Sequence, residues 1–477
     1  MLLLFIALTT GVVLQVKGQV MSTPISDDFT ISLESQLSLL KFKEAQANNL
    51  LTYREALDAQ LKEIKLAIYH TENLLRSASH FQHNLIFEFK VLRHIYKDWP
   101  QYFKLLKKEL GTAEISLSQE LLTRQPTSVD FTESLRAIYR LQTVYNLDSS
   151  DMAEGILDGF DYNVQKWGID ECLVLGLMYQ YLKNYDLSEY WLKLALHQYE
   201  EHPNRDVLKI KLWKYHNLLE FLMEANKGLG RYVAAKEFAN ELISIFPNQM
   251  YAIKQLAKLE YLQANPLNLT ETKKDYQVQK AICSKPYPKK VSVNLICRYV
   301  NWTPFLKLAP LKLEELAINP SLVIIPDFVG EKDMEILKNV ARPKLKRNEH
   351  LSWNCSCKIS TLSSSSHNIV GKINHQITDI IGFPRNGNQV LEVINYGIAG
   401  NYNPHDTLRS PSNSIANALI YLSNAEKGGE IVFPSVEVKI KPQKGTLLVW
   451  VNPKESIFYH QCPLLKGNMW LANKMLN

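Results

Sequence analysis

The chain has 477 residues, of which 46% are hydrophobic and 21% are charged, and its formal net charge is +6. This composition is typical of globular domains and excludes bulk disorder. The length is too great for one hydrophobic core and predicts two or three domains. Because the net charge is small and no block of lysine and arginine stands out, no nucleic-acid partner is expected.

The N-terminus begins with an apolar run, LLLFIALTTGVVLQV, followed by small and polar residues. The run is shorter than the roughly 20 residues of a membrane-spanning helix. Residues 1–18 are therefore predicted to be a signal peptide, with an N-terminal anchor as the alternative. In the oxidising secretory pathway, Cys283 and Cys297 are predicted to form a disulfide across a short basic loop. Three N-x-[ST] triplets mark candidate glycosylation sites: Asn268, Asn301 and Asn354.

Residues 19–126 have the apolar spacing of long helices. The spacing alternates between three and four residues at these positions: Leu33, Leu37 and Leu40, then Leu57, Leu61, Ile64 and Ile68. Such a seam packs against another helix, either within the chain or in a second chain. A second helical set, from His80 to Leu122, would complete a hairpin.

Residues 127–265 are predicted to form helix–turn–helix units of the tetratricopeptide type. The first unit contains a cluster of tyrosines that includes Tyr179, Tyr181 and Tyr185. An aromatic groove of this kind suits a proline-rich peptide, because that ligand is already extended and presents flat rings. The alternative is that these tyrosines form an interhelical core with their hydroxyls at its rim.

Residues 266–318 are predicted to be a linker, and after it the pattern changes to short β-rich runs. The runs are SLVIIPDFV, QVLEVINYG, NALIYLS, EIVFPS, VEVKIKP and GTLLVWV. Several short antiparallel strands without alternating helices predict a jelly roll, also called a double-stranded β-helix, over residues 319–477. The predicted fold class is thus multidomain, α first and then β.

Three segments, VINYGIAGNYNPH, KGGEIVFPSVEVKIKPQKGTLLVW and HQCPLLKGNMWLANK, together resemble the catalytic domain of collagen prolyl 4-hydroxylase α subunits. Upstream, LICRYV, LQTVYNLD and DECLVLG fit the same family. The resemblance covers nearly the whole chain after the signal peptide. It implies the family's domain order: a helical dimerisation domain, a tetratricopeptide-like peptide-binding domain and an oxygenase domain.

The resemblance also implies a reaction and its partners. The family uses Fe(II), 2-oxoglutarate, O2 and ascorbate to hydroxylate proline in collagen-like peptides. Its α subunits assemble with protein disulfide isomerase, which retains them in the endoplasmic reticulum lumen. The expectations for this chain are the same cofactors, a proline-rich or collagen-like peptide ligand, and a possible homodimer through the N-terminal helices.

Iron in such a site needs two histidines and one carboxylate. The family supplies His-x-Asp on one strand, because side chains at i and i+2 share a face, and a distal His-x-x-Cys-Pro on another. His405 occupies the first position, but Thr407 stands two residues later and Asp406 has the opposite parity. The distal candidate is His460, one residue closer to Cys462 than in the family. The alternative is a histidine on the surface of the strand, because a shift of one residue changes the face. The family partner of Cys462 is missing, so Cys462 is expected to be unpaired or paired differently.

The cosubstrate residues are the last test of the resemblance. Tyr396 matches a family tyrosine that contacts 2-oxoglutarate. Met469 stands where the family has the lysine that anchors the distal carboxylate, and Ile431 replaces a threonine. Lys466 has the wrong parity to substitute for that lysine. Two hypotheses follow: a prolyl 4-hydroxylase α subunit with a degraded site, or a non-catalytic paralogue that binds proline-rich peptides or serves assembly.

Overall fold

The structure, a computed structural model, describes residues 33–77, 84–201, 215–265, 280–284, 294–347, 356–381, 390–401, 415–451 and 459–476. The chain divides into two compact units, with the boundary between Thr127 and Ser128. None of the helices within the described ranges has the length and apolarity that a membrane crossing requires. The predicted signal peptide lies outside the described residues.

The first unit consists of helices. They are α1 (Leu33–Arg76), α2 (Leu85–Arg93), a π-helical turn (His94–Asp98), α3 (Trp99–Leu106) and α4 (Thr112–Thr123). Asn49 Nδ2 donates to Ser118 Oγ over 2.8 Å, and Gln60 Nε2 donates to the Leu105 carbonyl over 3.1 Å. Since later residues of α1 meet earlier residues of the following helices, the chain returns antiparallel to α1, as a hairpin does.

The leucine seam of α1 is only partly covered inside this hairpin. These seam residues are exposed: Leu37, Leu40, Leu57, Leu61 and Ile68. Many apolar side chains of the returning helices are exposed as well, among them Phe89, Trp99 and Phe103. Monomeric proteins rarely expose a contiguous apolar row of this kind. Such rows commonly mark interaction surfaces.

Within the described residues, the second unit begins with seven helices. They are α5 (Ser128–Tyr145), α6 (Ser149–Ala153), α7 (Ile169–Tyr181), α8 (Tyr185–Glu201), α9 (Tyr215–Gly228), α10 (Tyr232–Ile245) and α11 (Met250–Ala264). Helices α7 and α8 form a tight hairpin, as do α9 and α10. A Cβ atom at Gly176 would lie 2.6 Å from Leu192 Cγ, so glycine is what allows α7 and α8 to approach.

A nine-stranded antiparallel sheet dominates the rest of the second unit. Its strands, in spatial order, are β3 (Cys297–Val300), β4 (Leu311–Ala317), β5 (Leu322–Ile325), β13 (Leu447–Val451), β9 (Ala416–Tyr421), β16 (Met469–Leu476), β8 (Val390–Tyr396), β7 (Lys358–Ser363) and β6 (Lys346–Arg347). Small sheets complete the barrel from β10 (Lys427–Gly428), β11 (Ile431–Phe433), β12 (Val438–Ile440), β14 (His460–Gln461) and β15 (Leu464–Lys466). A further hairpin, β1 (Ile156–Leu157) with β2 (Phe160–Asp161), lies among the helices.

Alternation along the strands produces two cores, one on each face of the large sheet. On β16, Met469 and Leu471 belong to the inner core between the large sheet and the small strands. Trp470 and Ala472 belong to the outer core. The outer core is covered by helices α13 (Glu331–Ala341) and α14 (Asn368–Ile381). The predicted fold class, α first and a jelly roll last, is confirmed.

Two details of the predicted organisation differ from the structure. All six β-rich runs contain strands, but α13 and α14, which carry polar residues on one side, were not predicted. Part of the predicted linker, from Cys297 to Ala317, is structured as β3, the short helix α12 (Pro304–Leu308) and β4. These strands join the edge of the large sheet because β4 pairs with β5.

The predicted Cys283–Cys297 disulfide is wrong. Cys283 is bonded to Cys462, 179 residues away, with a Cα–Cα distance of 5.7 Å. The helical segment 280–284 lies against the barrel, where Lys439 Nζ donates to the Cys283 carbonyl over 2.7 Å. Cys297 instead begins an edge strand and is an exposed free thiol. Proximity in sequence therefore misassigned the partner of Cys283, and Cys462 proves to be paired.

We predict that Cys283→Ser lowers the free energy of unfolding by about 2–5 kcal/mol, since it opens a long cross-linked loop. Cys297→Ser is the matched control and should change that free energy by less than about 0.5 kcal/mol, because its thiol is exposed and unpaired. Denaturant unfolding measures both. Non-reducing peptide mapping should recover Cys283 linked to Cys462, and a Cys283–Cys297 peptide would contradict the structure.

Candidate active site

The candidate site is the inner face of the barrel, where buried tyrosines converge. Tyr396 at the end of β8 is fully buried, and its hydroxyl accepts a hydrogen bond from Gln461 Nε2. Burial raises the pKa of Tyr396 well above its usual value. The Tyr396 side chain therefore stays neutral. Tyr396 shares the inner face of β8 with Ile394.

Tyr421, on β9, adds a second buried hydroxyl to this face. Burial and the Glu430 carboxylate both raise the pKa of Tyr421 far above its usual value, so this side chain is also neutral. Tyr421 Oη has no hydrogen-bond partner among the residues that the structure describes. It can donate one hydrogen bond to a ligand, but it cannot balance a negative charge.

Met469 lies directly across from Tyr396 in the β16–β8 pairing and is completely buried. Its Sδ accepts a hydrogen bond from Ser423 Oγ over 3.7 Å. Its methyl group occupies the space above Gly429, where an added Cβ would come within 2.8 Å of Met469 Cε. The position that the resemblance assigns to a carboxylate anchor is thus filled by a packed thioether.

The neighbouring lysines do not reach the inner face. Lys474 is five residues beyond Met469 and on the opposite face of β16, where its Nζ is 3.4 Å from the Asn374 carbonyl of helix α14. Burial lowers the pKa of Lys474 to about 8. Lys466 Nζ is 2.9 Å from the Glu426 carboxylate and stands over the Phe160 ring. The remaining buried cations of the described residues are Arg140 and Lys338. Both form ion pairs elsewhere, with Glu133 and Glu335.

These observations test whether the inner face fits 2-oxoglutarate. A buried carboxylate needs a cation or several donors. The inner face supplies neutral hydroxyls, a thioether at Met469 and an aliphatic side chain at Ile431, with the Glu430 carboxylate close to Tyr421. The described residues therefore do not fit the distal carboxylate of the cosubstrate.

The predicted distal ligand, His460, is not on the inner face. Strand β14 pairs His460 with Val432 and Gln461 with Ile431. Paired residues share a face, and Ile431 belongs to the inner core whereas Val432 packs with Cys283 and Cys462. His460 therefore lies on the outer side, which corrects its assignment as a metal ligand. The parity of strand positions was the signal that pointed to this outcome.

Tyr459 takes the inner position three residues before Cys462. It is buried, and its ring centroid lies 5.0 Å from that of Trp450 and 5.7 Å from that of Phe433. His405 and Asp406 lie outside the described residues. Within the described residues, no group of three or more histidine, cysteine, aspartate and glutamate side chains could hold a metal ion. The described part of the barrel supplies aromatic rings where the family pattern has a histidine.

Gln461 is a site residue that the sequence analysis missed. It is buried on strand β14, next to His460, and donates a hydrogen bond to the Tyr396 hydroxyl. The signal was available, because Gln461 has the same parity as Tyr459 in the segment YHQCP. A strand face read from the position of Cys462 would have placed Gln461 inward and His460 outward.

The predicted groove tyrosines do not share one environment. Tyr179 is fully buried and donates a hydrogen bond to Gln142 Oε1, which also accepts from Trp191 Nε1 over 3.0 Å. Tyr179 is therefore a core residue, which corrects its predicted place in a peptide groove. Tyr185 is half-buried with its ring against Gly228. Tyr181 is 59% exposed and is the member of the set that is most accessible to a peptide.

Of the candidate glycosylation sites, Asn301 is exposed in the turn after β3. Asn268 and Asn354 lie outside the described residues. Asn301 thus has the accessibility that modification needs.

Comparisons with known proteins agree with the architecture. The N-terminal region of the prolyl 4-hydroxylase alpha-subunit matches residues 32–159, and the 2OG-Fe(II) oxygenase superfamily matches residues 391–474. Prolyl 4-hydroxylase subunit alpha-1 of Homo sapiens is 26% identical over 512 residues, covering 94% of this chain and 93% of the relative. Prolyl 4-hydroxylase subunit alpha-2 of Caenorhabditis elegans is 28% identical over 394 residues, covering 74% and 72%.

Among solved structures, the viral collagen prolyl hydroxylase of Paramecium Bursaria Chlorella virus-1, in its 2OG complex, covers 32% of this chain and 94% of its own. Its sequence identity is 21% and its TM-score is 0.28. The full-length relatives and the two family matches, in the order that the structure shows, carry the assignment. The chain is a relative of prolyl 4-hydroxylase α subunits over nearly its whole length, and residues 391–474 of its C-terminal barrel match the 2OG-Fe(II) oxygenase superfamily.

Proposed function

We propose that this chain is a prolyl 4-hydroxylase α-subunit-like protein of the endoplasmic reticulum lumen with a degraded metal and cosubstrate site. The family reaction is the 2-oxoglutarate-dependent 4-hydroxylation of proline in collagen-like peptides. The observation that carries the proposal is the composition of the inner face: Met469 and Tyr459 occupy the positions where that chemistry needs a lysine and a histidine.

The energetic consequence follows from burial. An unpaired buried carboxylate costs on the order of 3–5 kcal/mol, which corresponds to more than about a hundredfold in affinity. Tyr421 can recover part of this through one hydrogen bond, but Glu430 opposes a second negative charge nearby. The described residues therefore do not fit the dicarboxylate.

The covalent features support a secretory location. Cys283 is bonded to Cys462, and Cys357 is also disulfide-bonded. Disulfides form and persist in oxidising compartments and are rare in the cytosol. Exposed Asn301 adds an accessible acceptor for glycosylation. By family relationship, protein disulfide isomerase is the expected partner that would retain the chain in the lumen.

We predict that Fe(II)-dependent succinate release from 2-oxoglutarate, measured on a (Pro-Pro-Gly) repeat peptide with ascorbate, is at least about 100-fold slower for this chain than for the human α-1 relative. Both proteins are assayed as full chains together with protein disulfide isomerase. Turnover equal to that of the relative, and lost in His405→Ala, would contradict the degraded site. Absence of turnover combined with intact peptide binding would identify a non-catalytic role.

The proposed ligand of the tetratricopeptide-like helices, residues 127–265, is a proline-rich peptide. We predict that Tyr181→Ala weakens binding of a polyproline peptide to the full chain about fivefold or more, because an exposed ring supplies stacking area. The matched control is Tyr179→Phe. It removes a buried hydroxyl, so it should lower stability by about 1–2 kcal/mol and leave the affinity unchanged.

Isothermal titration measures the affinity, and thermal unfolding measures the stability. Equal loss of affinity in both variants would place the groove elsewhere. No saturable binding at millimolar peptide would remove the peptide role.

The proposed self-association uses the exposed seam of α1. We predict that the chain forms a dimer and that the double variant Leu57→Gln, Leu61→Gln is monomeric in light scattering, since both side chains are exposed in the single chain. Val233→Gln, at an exposed position of α10, is the control and should leave the mass unchanged. A monomeric wild-type chain would overturn this proposal.

A further inference from the structure

Helix α5 packs on the barrel through buried charged residues. Arg140 is buried, and its Nη1 donates to the carbonyl of Ala399 over 2.5 Å. Its Nη2 is 3.4 Å from Glu133 Oε1. Glu133 is buried too, and the same carboxylate oxygen accepts a hydrogen bond from Ser356 Oγ, immediately before β7. One arginine and one glutamate thus connect the helix to two separate segments of the barrel.

A second ion pair lies at the beginning of the same helix. Asp130 is buried, and Arg347 Nη2 on edge strand β6 is 3.3 Å from its Oδ1. Buried charges are strongly unfavourable unless they are paired. The barrel supplies Arg347 to Asp130 and Ser356 to Glu133. It also supplies the Ala399 carbonyl to Arg140, which pairs with Glu133 within α5.

The C-terminal end of α5 contacts the segment that follows β14. Tyr145 Oη donates to the Pro463 carbonyl over 2.5 Å. Leu141 packs with Ala399 and Leu465, and Val144 packs with Cys462. Apolar contact and hydrogen bonding therefore act on the same short stretch of barrel, which also carries the disulfide.

The segment held by Arg140 has a backbone conformation that needs support. Ala399 has a φ of 65°, in the left-handed region that residues other than glycine rarely adopt. Its N–H donates to the Leu464 carbonyl over 2.7 Å, while its own carbonyl accepts from Arg140. The next residue, Gly400, has no room for a Cβ, which would lie 2.6 Å from Tyr396 Cβ. Both sides of the Ala399 peptide are thus fixed by neighbours.

We infer that helix α5 is a positioning element of the oxygenase domain, in which Arg140 fixes the segment 397–401 and Tyr145 fixes the stretch 462–466. The first segment continues directly from Tyr396, and the second follows Gln461, so α5 holds both partners of the Tyr396–Gln461 hydrogen bond from outside the barrel. This inference is independent of turnover.

Hydrogen exchange of the full chain tests the inference. In Arg140→Met, peptides covering 397–401 and 462–466 should exchange at least about tenfold faster, because a buried charged hydrogen bond is lost. Peptides from β9 and β13 in the centre of the sheet should not change. Arg140→Lys keeps a cationic donor and should restore part of the protection.

Arg231→Met is the matched control. Arg231 forms its ion pair, 2.5 Å to Glu189, inside the helical domain and away from the barrel. It should leave the exchange of 397–401 and 462–466 unchanged. Unchanged exchange in Arg140→Met, or an equal increase in β9 and β13, would overturn the positioning role.

If Arg140→Met does not fold, Tyr145→Phe tests the inference in its place. It removes one hydroxyl and retains the ring, so the fold is preserved. Faster exchange confined to 462–466 supports the inference. Exchange at the wild-type rate throughout the chain contradicts it.

Discussion

The alternation of side chains along strand β16 is the constraint on which the rest of the site depends. The strand lies near the centre of the nine-stranded sheet and pairs with β8 and β9, so its register is held from both sides. A shift by one residue would move every side chain to the opposite face. Met469 therefore has to face the inner core, and Lys474 has to face helix α14. No local adjustment can exchange their roles.

The same alternation of side chains along β14 determines the face on which His460 lies. Pairing with β11 sends Gln461 inward and His460 outward, and the Cys283–Cys462 disulfide holds the end of this strand. Met469 on β16 and Tyr459, immediately before β14, thus present a thioether and an aromatic ring to the interior. The fold of the oxygenase is retained because its cores depend on apolar burial, which these replacements preserve. The family chemistry depends on a lysine and a histidine at these two positions, where this chain has Met469 and Tyr459.

The helical domain is part of this arrangement through α5. Asp130 pairs with Arg347 of the barrel, and the Glu133–Arg140 pair within α5 hydrogen-bonds to two further barrel segments. The disulfide connects the helical segment 280–284 to the end of β14. The first unit differs in kind: its hairpin leaves a long apolar row exposed, which a second chain can cover. The second unit is thus held together by buried ion pairs and a disulfide, whereas the first unit exposes an apolar row.

Much of the fold could be predicted from local pattern. The six β-rich runs and the long leucine seam each carry a period that a single strand or helix shows by itself. The parity of Lys466 and of Asp406 followed from the same period, and the outward position of His460 could have been read from it too. What could not be predicted depends on contacts between distant segments. The partner of Cys283 and the barrel contacts of Arg140 are decided by tertiary packing, which neither spacing nor composition contains. The core position of Tyr179 was one of two alternatives, between which only the packing decides.

Among the residues that the structure describes, the inner face has no cation to pair with the distal carboxylate of 2-oxoglutarate. Direct titration of 2-oxoglutarate into the full chain tests it by comparing wild type with Met469→Lys and with the apolar control Met469→Leu. We predict weak binding of 2-oxoglutarate by wild type and by Met469→Leu, and an affinity about 100-fold higher in Met469→Lys. Wild-type affinity equal to that of Met469→Lys would contradict it.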